Sequence, residues 1–246
     1  MGILALLVTY AMHPAVQWIM TSVIALLVGV GCWEYQRFAR CKGLQTVMAL
    51  PFLAALIPYA ALLGHSIPLV VGVYIILTLF HFRKNEGAIM ELAISTFALL
   101  YIAVPMSMQV SILYDTGREG RVWFLYLIAV TKMTDVGGYF GGSFFGKMKL
   151  APKISPSKTV EGAFAGLAAA LITSYGFHSL FGRHSIDWLW LGLAIGCLAQ
   201  LGDLAESLLK RDAGLKDSNV VPGLGGVLDT IDSLLFTTPI LFAYLL

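Results

Sequence analysis

Residues 200–235 read QLGDLAESLLKRDAGLKDSNVVPGLGGVLDTIDSLL, an apolar helical start and an apolar helical end joined by a charged turn. Asp203, Glu206, Lys210, Arg211, Asp212, Lys216, Asp217, Asp229 and Asp232 place nine of the chain's 30 formal charges (16 basic, 14 acidic) in this stretch. Asp217-Ser218-Asn219 and Pro222-Gly223-Leu224-Gly225-Gly226 are clusters of turn-forming residues. Charged side chains at membrane depth are costly and by default mark a functional site. The weight of the stretch therefore depends on whether its flanks lie in a bilayer.

The composition says that they do. Of 246 residues, 58% are hydrophobic and only 12% are charged, where a soluble domain carries about 25% charged residues. Mean hydropathy is +0.82. The net charge of +2 leaves no bulk positive field for nucleic acid, so no nucleic-acid partner is expected. Cys32, Cys41 and Cys197 are an odd number without CxxC spacing and read as small packing residues rather than a disulfide or metal site. Met1 to Ala11 is apolar but has no basic n-region, which argues against a cleaved signal peptide.

A membrane-spanning helix needs about 20 apolar residues. Apolar segments lie near 2–12, 15–36, 44–63, 66–82, 88–114, 121–146, 159–181, 188–209 and 228–246, the first too short to span comfortably. If these nine alternate, Arg37, Arg40, Lys42, Arg83, Lys84, Lys147, Lys149, Lys153, Lys158, Lys210, Arg211 and Lys216 fall on one side. Only Arg118, Arg121 and Arg183 fall on the other, and Lys132 lies inside a segment. A bias of this size places the twelve in the cytoplasm and the C-terminus on the far side. Without water to satisfy backbone groups, the bilayer demands an all-α fold: a polytopic helical bundle of about nine membrane segments. We expect one transmembrane domain over 1–246, with weakly marked N-terminal helices over 1–120 and the chemistry over 121–246. Gly138, Gly142 and Gly146, Gly162 with Gly166, and Gly192 with Gly196 recur every four residues, a spacing that lets helix backbones approach closely.

Two constellations can carry chemistry. In the eighth segment Asp203, Ser207 and Lys210 share a helix face at i, i+4 and i+7, flanked by Glu206 and Arg211; in the ninth, Asp229, Asp232 and Ser233 share a face. The loop between is long enough to return the chain antiparallel, so the two faces can meet. Asp203, Glu206, Asp229 and Asp232 would then converge near the cytoplasmic side, where uncompensated carboxylates could not all stay ionised. A divalent cation is one compensation, because Mg²⁺ takes one or two carboxylates, waters and substrate phosphates. Asp–Lys and Glu–Arg pairs that only hold helices together are the other.

The second constellation is DVGGYFGGSFFGKMKLAPKISPSKTVE, residues 135–161. Asp135 is intramembrane, with Lys132 three residues before it as a partner. The loop from Lys147 to Lys158 holds four lysines, stiffened by Pro152 and Pro156, and Ser155, Ser157 and Thr159 add hydroxyls. Such a loop suits a polyanionic phosphate, or it is an ordinary basic cytoplasmic loop. Gly141 to Lys147 spells GxxxxGK, but Met148 follows where a P-loop needs Ser or Thr, and the glycines sit in an apolar helix. The five histidines, at 13, 65, 81, 178 and 184, fall at segment ends and read as interfacial packing; Glu34 and Glu91 read as helix-end polar pairs.

Together the two constellations resemble the phosphatidate cytidylyltransferase (CDP-diacylglycerol synthase) family. The likeness is carried by Ser207, Lys210-Arg211, Lys216-Asp217, Pro222-Gly223-Leu224-Gly225-Gly226, Asp229-Thr230 and Asp232, and by Asp135 through Gly162 with ISPSKTVEG at 154–162. It is specific over 135–236 and architectural before that. The family pattern has histidine where this chain has Leu224, arginine where it has Thr230, and an aromatic residue where it has Lys132; the loop before Pro222 is one residue short.

The resemblance implies that CTP and phosphatidic acid give CDP-diacylglycerol and pyrophosphate at a bilayer. It implies Mg²⁺ on Asp203 and Asp229, a second cation such as K⁺, and Asp232 supporting the metal shell or loop. Lys210, Arg211 and Lys216 would hold phosphates. Ser155, Lys158, Thr159 and Glu161 would close over substrate from the other loop, with Ser207, Asp217 and Asp135 completing the substrate site. It leaves room for a homodimer. A CTP-dependent kinase for a polyprenol or similar lipid, and a non-catalytic transporter-like relative, remain open alternatives.

The charge bias generates a test of topology. Reporter fusions at residues 84 and 153 should report cytoplasm, and a fusion after Leu246 should report the opposite side. A cytoplasmic C-terminus overturns the segment count.

Overall fold

Proline and glycine decide where the apolar segments become helix and where they break. The computed structural model describes residues 14–82, 87–114, 119–178, 187–215 and 226–246. The short segment expected near 2–12 lies outside them. The chain divides into two compact units, one drawn from Met1–Arg121 and Asn219–Leu228, the other from Val122–Ser218 and Asp229–Leu246.

In the first unit, α1 (Pro14–Cys41) packs on two short helices, α2 (Leu50–Ala54) and α3 (Ile57–Leu62). The single span expected over 44–63 is thus split. Pro51 and Pro58 each stand in the first turn of a short helix, where a missing N–H costs nothing but where the preceding helix cannot continue. Next come α4 (Ser66–His81), α5 (Ala88–Ala98) and α6 (Val104–Tyr114). Between α5 and α6 the chain widens into a π-turn over Leu99–Ala103, and the Val104 N–H donates five residues back to the Leu99 carbonyl. Pro105 supplies the cause, because it has no N–H for the carbonyl four residues before it. Buried Met106, Ser107, Gln109, Val110, Ser111, Ile112 and Leu113 put α6 in the centre of the unit. His81 donates from Nδ1 to the Leu77 carbonyl (2.7 Å) and meets Glu91 Oε2 through Nε2 at 2.8 Å, both side chains buried. Glu91 is therefore a helix-end polar pair, as its position predicts.

In the second unit, α7 (Gly120–Phe145) leads into a hairpin of β1 (Lys149–Ala151) and β2 (Ser155–Thr159), then α8 (Val160–His178), α9 (Asp187–Asp212) and α10 (Val227–Leu245). The strands run antiparallel, with Lys149 opposite Thr159 and Ala151 opposite Ser155. The lysine loop is thus a small hairpin rather than irregular chain. Pro156 is compatible with it because both strands are edges, where an N–H can face outward without a partner.

Helices α8 and α9 pack closely at small residues, Gly192 against Ser174 and Gly196 against Ala170, while Gly162 and Gly166 approach α7 and Gly202 approaches α10. The glycine spacing has its expected meaning. A Cβ on Gly162 would come within 2.8 Å of the Gly138 carbonyl oxygen, and one on Gly202 within 2.6 Å of the Asp232 carbonyl oxygen. Hydroxyls add interhelical bonds, Tyr126 with Ser174 at 2.7 Å and Thr131 to Thr237 at 3.2 Å. Each such bond contributes roughly 0.6 kcal/mol in a membrane bundle.

The outside is apolar. Ile89, Phe52 and Ile67 are 89%, 77% and 76% exposed, while Glu34, Thr131 and Glu206 are completely buried. That inversion is what a hydrocarbon solvent requires. Five helices are long and apolar enough to cross a membrane: Val16–Cys41, Ala88–Tyr114, Val160–His178, Asp187–Asp212 and Val227–Leu245. Ser66–His81 is shorter, and α7, at 26 residues, is diluted by Lys132, Asp135 and its glycines. The chain is a helical integral membrane protein, and among the described residues five helices meet both criteria.

Close packing at glycine yields a prediction. Gly202→Ala should cost about 1–3 kcal/mol, the usual penalty of overpacking, read as a lower thermal midpoint in detergent. Gly176→Ala should not, because nothing lies within 4 Å of the added methyl.

Candidate active site

Four elements of the second unit converge on one cavity of about 370 Å³. Helix α7 brings Asp135, the hairpin Ser157, Lys158 and Thr159, the start of α8 Gly162, and α9 Gln200 and Asp203. Asp135 and Asp203, 68 residues apart in sequence, thus line one cavity.

The hairpin is anchored so that Lys158 faces α9. Glu161 accepts the backbone N–H groups of Lys147 (3.0 Å) and Met148 (3.2 Å), tying the end of α7 to the first turn of α8. Thr159 Oγ1 accepts the Gly162 N–H at 3.1 Å, an N-cap for α8. From α9, Arg211 donates through Nε to the Ile154 carbonyl at 3.1 Å, and through Nη1 to the Leu215 carbonyl at 3.5 Å. Ser155 is buried beneath the hairpin, 3.5 Å from Ser157. Lys158 Nζ then reaches Asp203 Oδ2 at 2.7 Å.

The acidic residues form two groups. Asp203 accepts a bond from Ser207 at 3.5 Å and lies within electrostatic reach of Asp135 and Asp232. Asp135 pairs with Lys132 at 3.3 Å and accepts from Ser233 Oγ, which also donates to Asp232 Oδ1 at 3.1 Å. Lys132 Nζ donates in addition to the Thr230 carbonyl at 2.9 Å, so it ties α7 to the first turn of α10. In the other group Lys210 bridges Glu206 and Asp229 in close contact. The four carboxylates expected to meet are therefore shared out, and Glu206 pairs with Lys210 one turn on rather than with Arg211.

Of the sequence-predicted residues, Asp135, Lys158, Thr159 and Asp203 line the cavity; Ser155, Glu161, Ser207, Lys210, Arg211, Asp229 and Asp232 are not among its walls. Lys216, Asp217 and Leu224 lie outside the described residues. Gln200 and Ser233 went unassigned by sequence reasoning. Gln200 donates to the Ala163 carbonyl at 3.1 Å; its signal was a polar side chain in an apolar helix, one turn before Asp203.

Among the described residues, no three His, Cys, Asp or Glu side chains gather into a ready metal cage. The donor chemistry nonetheless suits a hard cation. Asp203 and Asp229 offer oxygen ligands, and their side chains are 37% and 26% exposed. A site of one or two carboxylates completed by water and phosphate is the Mg²⁺ pattern.

The profile of the cytidylyltransferase family matches residues 1–246. A phosphatidate cytidylyltransferase of Chlamydia pneumoniae is 35% identical over 99% of this chain and 87% of its own length. One from Chlamydia muridarum is 37% identical over 90% of this chain and 71% of its own. One from Staphylococcus aureus is 36% identical over 68% of this chain and 64% of its own. A full-length family match and relatives of this similarity show that the chain belongs to the cytidylyltransferase family.

Proposed function

We propose that the protein is a CTP:phosphatidate cytidylyltransferase. An oxygen of the phosphatidate phosphate attacks the α-phosphorus of CTP, the bond from that phosphorus to the β-phosphate oxygen breaks, and pyrophosphate leaves. The observation that carries the proposal is the shared cavity, in which Lys158 and Asp203, from two distant stretches, face each other at 2.7 Å beside Asp135.

Phosphoryl-type transfer needs positioning and charge neutralisation more than covalent help from the protein. Lys158 is only a quarter exposed, and a phosphate oxygen can replace Asp203 as its partner without moving the ammonium far. Lys210, which bridges Glu206 and Asp229, would likewise exchange a carboxylate for a phosphate. Arg211, with two carbonyls already bound, keeps further N–H donors for phosphate oxygens. Lys216 would add another cation from the loop beyond α9. Freed of their lysines, Asp203 and Asp229 would hold Mg²⁺. When bound, that ion neutralises phosphate oxygens and the charge building on pyrophosphate. Asp232, Ser233 and Asp135 orient the acidic group from behind, and Glu161, Thr159 and Ser155 keep the hairpin in register with α9. A cytoplasmic opening would admit CTP from water and phosphatidic acid from the bilayer.

Incubating purified protein with labelled CTP, phosphatidic acid and Mg²⁺ should give a labelled CDP-lipid. Formation of CDP and a newly phosphorylated lipid would instead identify a CTP-dependent kinase. Asp203→Asn and Asp229→Asn should each lower turnover by at least ~100-fold, the scale for losing one transition-state charge contact, while the protein stays folded in detergent. EDTA should stop the wild type and Mg²⁺ should restore it. Wild-type turnover by either variant in saturating Mg²⁺ removes that residue from the metal site.

The hairpin generates a separate expectation. Lys158→Ala should raise the KM for CTP or lipid and lower turnover while the protein stays folded in detergent. Unchanged kinetics would return the lysine loop to an ordinary basic surface.

A further inference from the structure

Helix α10 draws the cap of its first two residues from another helix. Its first residue is Val227, and the residue before it is Gly226, which has no side chain to accept the free N–H groups of the first turn. Those groups have no partner inside the helix. Here they are satisfied from 193 residues away: Glu34 Oε1 accepts the Val227 N–H at 2.9 Å, and Oε2 accepts the Leu228 N–H at 2.7 Å. Glu34 is completely buried near the end of α1. Both oxygens are thus used, in a place where an unsatisfied carboxylate would carry a heavy desolvation cost. A carboxylate at a helix N-terminus also opposes the positive end of the helix dipole.

The two bonds lie within the first unit, and α10 leaves that unit at Leu228. The next residue is Asp229, and Asp232 follows one turn on. Holding the N–H groups of the first two helical residues sets where α10 begins and how its first turn is rotated. The direction in which Asp229 leaves the helix follows from that.

We infer that Glu34 is a positioning residue for the cytidylyl transfer: it does not touch substrate, but its two-point cap aims Asp229. The inference rests on the proposed role of Asp229, and its test separates the two. In wild-type protein in detergent, hydrogen exchange at the Val227 and Leu228 amides should be slow, although such N-terminal amides usually exchange freely. Fast exchange there overturns the cap.

Glu34→Gln preserves volume but replaces one acceptor with a donor, whereas Glu34→Asp loses volume but keeps the carboxylate. Capping predicts that Asp is the better substitute. Glu34→Gln should lower kcat at least tenfold with KM for CTP within twofold, raise the Mg²⁺ concentration for half-maximal rate, and speed exchange across 227–232. Glu34→Asp should recover a measurable part of each.

Glu91→Gln, a control at an equally buried carboxylate paired with His81, should lower the thermal midpoint and leave kcat, the Mg²⁺ requirement and exchange at 227–232 unchanged. If Gln serves as well as Asp, or if Glu91→Gln reproduces the kinetic loss, Glu34 holds the fold and does not position Asp229. Should Glu34→Gln not fold, wild-type kcat in Glu34→Asp with unprotected amides overturns the inference as well. If wild type forms no CDP-lipid, the proposed function falls, while the exchange comparison still decides whether Glu34 orders the start of α10.

Discussion

A carboxylate cannot stand alone in hydrocarbon, and the organisation of this protein follows from that constraint. The intramembrane acids described here each have a compensating partner. Asp203 has Lys158, Asp135 has Lys132, Glu206 and Asp229 share Lys210, and Glu91 has His81. Glu34 has two backbone N–H groups. Several of these partners lie on a different element from the acid, so the electrostatic solution is also a tertiary clamp. The hairpin lies against α9 partly because Lys158 must meet Asp203. Pairs of this kind stabilise little against an apolar alternative, yet losing one partner costs several kcal/mol. They are therefore better understood as poised for function than as a source of stability.

The pairs also explain how a charged substrate can enter such a site. Triphosphate brings negative charge to a place already rich in carboxylates. In the proposed reaction, lysines that hold carboxylates in its absence would turn to phosphate, and the carboxylates they release would hold a cation.

Close backbone approach is the second requirement. Gly162 against Gly138 and Gly142, and Gly202 against the Asp232 carbonyl, let α7, α8, α9 and α10 pack at distances that a methyl group would forbid. Those contacts flank the polar cluster. A looser bundle would place Asp203, Asp135 and Ser233 too far apart to share protons and cations, so the glycine stripes serve the chemistry as well as the packing.

The sequence alone determined the solvent, the helical fold class and the family. Composition and apolar segment length force a helical membrane fold, and the Asp203–Asp232 stretch and the ISPSKTVEG segment carry the family likeness, because these are local properties of spacing and residue type. It also marked Glu34 and Glu91 as helix-end polar pairs without identifying their partners. Tertiary structure decided the rest. Splitting 44–63 into two helices required the local geometry of Pro51 and Pro58. The hairpin at 149–159 required a partner strand and a helix to lie against. The pairing of acids with lysines was invisible because helical spacing offers Asp203 and Glu206 the same nearby cations, Lys210 and Arg211. Only the approach of the hairpin and of α10 assigned Lys158 to Asp203 and Lys210 to Glu206 and Asp229. Glu34 is the extreme case: its partners are two backbone N–H groups nearly 200 residues away, which no side-chain pattern encodes.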